Sequence, residues 1–73
     1  MIMLTMRLKA YYKFIKVVKK ATENITLNFG MSTDDSYLVK LAVAEAVANI
    51  IEHSYTGEQE EEIEYVIENT GDE

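Results

Sequence analysis

The first nine residues alternate. Ile2, Leu4, Met6 and Leu8 are apolar; Thr5, Arg7 and Lys9 between them are polar. Residues two apart share one face of a strand, so 1–9 reads as a half-buried strand. The period then lengthens. From Tyr11 to Phe29 the positions Tyr11, Phe14 or Ile15, Val18, Ala21 or Thr22, and Ile25 fall on one helical stripe. The last turn, Ile25-Thr26-Leu27-Asn28, has poor helix propensity. Gly30 suits the left-handed position just past a helix end. Ser32-Thr33-Asp34-Asp35 then reads as a new helix start: Ser32 or Thr33 caps, and the aspartates face the positive end of the dipole.

The second helix is expected to run to about His53 or Tyr55. Leu38, Leu41, Ala42, Ala44, Ala46, Val47, Ala48, Ile50 and Ile51 make it apolar on most sides. Such a helix is expected to be sandwiched rather than surface-lying. Thr56-Gly57-Glu58 reads as a turn. Glu62–Glu68 alternates again, with Ile63, Tyr65 and Ile67 inward and Glu62, Glu64 and Glu68 outward. Arg7 and Lys9 would then face Glu62 and Glu64 across the strands. Asn69-Thr70-Gly71-Asp72 has the chemistry of another turn. The order strand, helix, helix, strand predicts an α+β fold with both helices on one face of a sheet. Two strands rarely suffice alone. Residues 1–73 therefore read as a single incomplete domain, the front part of a larger one.

Composition narrows the function. A chain of 73 residues buries only about 60% of its unfolded surface, so a partner or second copy would help. Hydrophobic content of 48% argues against disorder. The absence of cysteine excludes disulfides, thiolate metal sites and thiol catalysis, and a single histidine excludes a multi-histidine cage. No apolar run approaches the ~20 residues of a membrane span, and the N-terminus lacks a signal-peptide pattern. A cytoplasmic location and no membrane partner are the default expectations.

The net charge of −6 is segregated. Residues 1–57 carry a balance of +2, and residues 58–73 carry eight acids and no base. Arg7, Lys9, Lys13, Lys16, Lys19 and Lys20 form a basic run without an acid. Beside so acidic a tail, six bases would give only modest phosphate affinity, so no nucleic-acid partner is expected. An acidic protein partner, or the chain's own acidic strand, matches the lysines better. Lys13, Lys16 and Lys20 fall on one side of the first helix, with Lys19 offset.

Candidate chemistry sits in the second helix. Glu45, Asn49 and His53 follow one another at intervals of four, so they fall close to one line. A buried carboxylate and amide need compensation from a partner, a cleft or a metal. Each also has a structural reading: Glu45 as a cap for neighbouring backbone, Asn49 as a satisfied core amide, His53 as a helix-end cation.

The run Leu41-Ala42-Val43-Ala44-Glu45-Ala46-Val47-Ala48-Asn49-Ile50-Ile51-Glu52-His53-Ser54-Tyr55 resembles the N-box helix of the anti-sigma factor serine/threonine kinases, within the histidine-kinase-like ATPase superfamily. The resemblance implies the front part of that family's two-layer sandwich. It implies an ATP-dependent protein kinase that phosphorylates a serine or threonine of an anti-sigma factor antagonist and binds a sigma factor. Asn49 would ligate Mg²⁺ bridging the nucleotide phosphates, Glu45 would be the base, and His53 would lie near the phosphates. Lys16 and Lys19 would help contact the partner, with Lys19 where the family carries an arginine. The family's Asp-x-Gly-x-Gly adenine box has no counterpart in these residues. Mg²⁺ and ATP are thus expected for the complete domain and none for these 73 residues alone. The alternative is a non-catalytic protein-binding or dimerisation module of the same fold. A homodimer is expected in either case.

Overall fold

The computed structural model describes residues 1–54 and 57–69. Its order is β1 (Ile2–Ala10), α1 (Ile15–Asn28), α2 (Thr33–Asn49) and β2 (Gln59–Glu68). A 3₁₀ turn, Tyr12–Phe14, leads into α1, and a π-helical turn, Ile50–Ser54, ends α2. This is the α+β arrangement the alternation predicts. Tyr55, one of the two expected ends of the second helix, and the expected turn residues Thr56 and 70–72 lie outside the described residues.

β1 and β2 pair antiparallel, with Met6 opposite Tyr65, Arg7 opposite Glu64, Leu8 opposite Ile63 and Lys9 opposite Glu62. Arg7 reaches Glu64 at 3.5 Å, and the Lys9 ammonium, opposite Glu62 in the register, meets Glu60 at 3.4 Å. Two features depart from simple alternation. Ile2 pairs with Glu68 and Leu4 with Ile67, so Met3 is an extra residue in β1. That bulge turns Ile2 out of the inward row, and Ile2 is exposed rather than inward. β2 also begins three residues before Glu62, through a run of glutamates whose weak strand propensity hides it.

The core is Ala10, Val18, Val47, Ile51 and Ile63, with Leu8, Ile15, Val43, Ile50 and Tyr65 packed around it. Both strands and both helices contribute. α1 buries Val18 and Thr22, which lie on the expected stripe, and continues inward through Thr26 rather than Ile25, which is half-buried. The threonines are tolerated because their protons are used. Thr22 Oγ1 donates to the Val18 carbonyl at 2.7 Å, and Thr26 Oγ1 donates to the Thr22 carbonyl at 2.9 Å. Each hydroxyl oxygen then accepts from a neighbouring element. Tyr65 of β2 donates to Thr22 at 2.7 Å, and buried Ser36 of α2 donates to Thr26 at 2.6 Å. Two hydroxyl pairs thus pin α1 to the sheet and to α2.

The helix ends follow their sequence signals. Gly30 takes φ +93°. The Gly30 and Met31 amides donate to the Leu27 and Thr26 carbonyls, which closes α1 in the Schellman pattern. Ser32 caps α2 by accepting from the Asp35 amide at 3.1 Å. α2 itself departs from expectation. Among the described residues only one of its faces is covered, so it is not sandwiched. Leu38 is 62% exposed and Tyr37 54%.

Candidate functional site

α2 presents two faces. Ser36, Val47 and Ile51 are buried, with Val43 half-buried beside them. At 3.6 residues per turn, Leu38, Ala42, Glu45 and Asn49 project from the opposite side, and all four are exposed. Glu45 and Asn49 therefore stand one turn apart, about 6 Å along the axis, on a surface of small and apolar side chains. His53 is exposed in the π-helical turn beyond them. π turns inside helices often mark functional positions. Gly57, at φ +115°, closes this end by donating its amide to the Ile51 carbonyl at 2.6 Å. The His53 Nε2 lies 3.9 Å from Glu52 Oε1.

The donor chemistry of this face fits a hard cation held mainly by other ligands. Asn49 offers a neutral amide oxygen, and Mg²⁺ typically takes one or two protein oxygens plus phosphates and waters. Among the described residues no group of three histidines, cysteines, aspartates or glutamates could cage a metal. A self-contained zinc or calcium site is therefore not what this face builds.

A family model for the histidine kinase-like ATPase domain matches residues 9–73. The chain belongs to the histidine kinase-like ATPase domain family. The match runs across α1, α2 and β2, and so includes every candidate residue on the open face. Searches of curated proteins and of solved structures gave no match. Among the described residues of this family member no helix is long and apolar enough to cross a membrane.

The lysines are sorted differently from the expectation. Lys16, Lys19 and Lys20 of α1 gather with Glu23 and with Lys40 of α2 along one groove between the helices. Lys19 is thus part of the group, and Lys13 is outside it. The Lys13 ammonium lies over the Tyr11 and Phe14 rings, 5.6 and 5.5 Å from their centres.

A second polar cluster was not legible in the sequence. It closes the end of the sheet nearest His53. The Tyr12 amide, at the start of the 3₁₀ turn, donates to the Glu58 carboxylate at 2.9 Å. Glu58 thereby supplies the cap that Tyr11 does not. The Tyr11 hydroxyl donates to Glu60, which also meets Lys9. These contacts hold the Glu60 carboxyl below its ordinary range, chiefly through the Tyr11 hydrogen bond and then Lys9. They raise the Tyr11 phenol, chiefly through Glu60. Loss of water raises the Tyr12 phenol, with the Glu52 charge adding to it. Only the glutamate-rich composition of residues 58–64 hinted at such a partner for the tyrosines.

Proposed function

We propose that this chain is the front part of an ATP-dependent serine/threonine protein kinase of the anti-sigma factor type. Its substrate would be a hydroxyl of an anti-sigma factor antagonist, and its second partner a sigma factor. The observation that carries the reading is the open face of α2. Glu45 and Asn49 stand one turn apart there, directed away from the core, within the family's matched span. A carboxylate left exposed beside a lone hard-oxygen ligand has no structural task in the core.

The roles follow from the side chains. Glu45 would accept the proton as the substrate hydroxyl oxygen bonds to the terminal phosphorus of ATP while the bond from that phosphorus to the bridging oxygen breaks and ADP leaves. Asn49 would hold Mg²⁺ through its amide oxygen. Bound Mg²⁺ supplies charge neutralisation at the phosphate oxygens. His53, exposed in the turn beyond Asn49, would lie near the phosphates. The apolar residues left open, among them Leu38, Tyr37 and Ile2, favour a homodimer or a further covering segment.

Phosphate transfer to a serine-bearing antagonist, measured with the full-length gene product, tests the assignment. Glu45→Gln should keep ATP bound and lower transfer by about 10²-fold or more, because an amide hydrogen-bonds but takes no proton. Asn49→Ala should weaken Mg-ATP binding itself. Wild-type transfer by Glu45→Gln would sink the assignment. Residues 1–73 alone should show no ATP binding by calorimetry; micromolar binding would overturn that expectation.

A further inference from the structure

Apart from Lys13, which lies over the Tyr11 and Phe14 rings, the lysines and Arg7 fall into two groups, only one of which pairs with the acidic strand. Arg7 and Lys9 of β1 pair with Glu64 and Glu60 of β2. Lys16, Lys19, Lys20 and Lys40 instead line a groove of about 180 Å³ between α1 and α2, with Glu23 as the single acid among them. Glu23 is shared: its carboxylate lies 3.9 Å from Lys20 and 3.6 Å from Lys40. Lys40 is the least free of the four. Its side chain is only 19% exposed, and its ammonium lies 5.3 Å from the centre of the Tyr37 ring. A restrained cation loses less entropy on pairing than a free surface lysine.

We propose that this groove docks an acidic segment of a protein partner, which pairs with Lys16, Lys19 and Lys20 beside the restrained Lys40. The proposal deepens the partner-docking part of the reading above, and rests on that part alone rather than on phosphate transfer. Nucleic acid fits less well. Four lysines give a short footprint, and a long polyanion would also meet the field of a chain carrying net charge −6. A short acidic peptide meets the groove without running along β2. Glu23 is an internal competitor for the same cations, so its charge should oppose docking.

The test is a titration with a fluorescein-labelled oligoglutamate peptide, at low salt and at about 150 mM, where charges are screened beyond about 8 Å. Binding at low salt should weaken several-fold at the higher salt. Lys16→Glu with Lys19→Glu should weaken it about tenfold, and Glu23→Gln should tighten it about threefold, as expected for partly exposed pairs. Amide shifts in the wild-type chain should concentrate in residues 16–23 and at Lys40, a readout that needs no variant to fold. No peptide binding at low salt, shifts confined to other residues, or tighter binding of an oligonucleotide of equal charge would each overturn the proposal. Peptide docking in a protein that transfers no phosphate would remove the kinase reading and leave the groove. Transfer without docking would do the reverse.

Discussion

Val47 and Ile51 on one side of α2 are almost wholly buried, while Leu38, Glu45 and Asn49 on the other side lie open. Both sides carry apolar residues of similar size. What separates them is the company each keeps. The buried side meets Val18 of α1 and Ile63 of β2, and its buried polar residue, Ser36, has a hydroxyl partner. The open side interrupts its apolar residues with a carboxylate and an amide, four residues apart. A helix apolar all round is thus two half-helices, one that holds the fold and one left open among the described residues.

That division can be broken most directly at Ile51. Ile51→Ala removes a fully buried side chain and should cost about 2–5 kcal/mol. In a domain this small that is a large share of the stability, so loss of cooperative urea unfolding is expected. Leu38→Ala, on the open side, should shift the midpoint by less than about 0.5 kcal/mol. Equal losses at the two sites would show that the open face is packed in solution, for example against a second copy.

Next in size is the hydroxyl lattice behind the packed face. Ser36→Ala removes the donor to Thr26, and Tyr65→Phe removes the donor to Thr22. Each should cost about 1 kcal/mol. The double variant should cost close to the sum, because the two hydroxyl pairs share no donor. Ser32→Ala should lose about 1 kcal/mol by freeing the Asp35 amide from its cap. Thermal melts followed by circular dichroism read all four variants, and no loss at Ser36 would remove the lattice from the account.

The sequence disclosed the elements better than it disclosed their orientation. Alternation located β1 and the second half of β2, and Gly30 and Ser32 marked the helix boundaries, because these signals are local. The buried stripe of α1 was legible through Val18 and Thr22 but not at its end, where Thr26 rather than Ile25 turns inward. Thr22 and Thr26 look polar, and only a hydroxyl on a neighbouring element makes them core residues. Met3 as a bulge was equally hidden, since an inserted residue shows only against its partner strand. For α2, hydrophobicity gave no direction at all, and the line of Glu45 and Asn49 was the sole guide to its open face. The lysine groove needed Lys40 from another helix, which no spacing within α1 could supply.

The smallest expected effect belongs to the clasp of Tyr11, Lys9 and Glu60, which lies on neither face of α2. Its groups are exposed, so it should adjust stability with pH without determining the fold. Glu60 has its folded pKa lowered from an ordinary value near 4.5. Its contribution is therefore present above that value and is lost as pH falls through the lower folded pKa. Tyr11 has its folded pKa raised above 10.0. Its contribution is present below 10.0 and is lost as pH rises through the higher folded value. Between these limits the clasp should leave the melting temperature flat. Glu60→Gln should shallow the acid limb, and by removing the charge beside the phenol it should shallow the alkaline limb as well. Tyr11→Phe should act on both limbs for the same reason. Melting curves from pH about 3 to about 11 would show it. If Glu60→Gln reproduced the wild-type profile at both ends, the clasp would add nothing to stability, and the packed face of α2 would account for it without help from these charges.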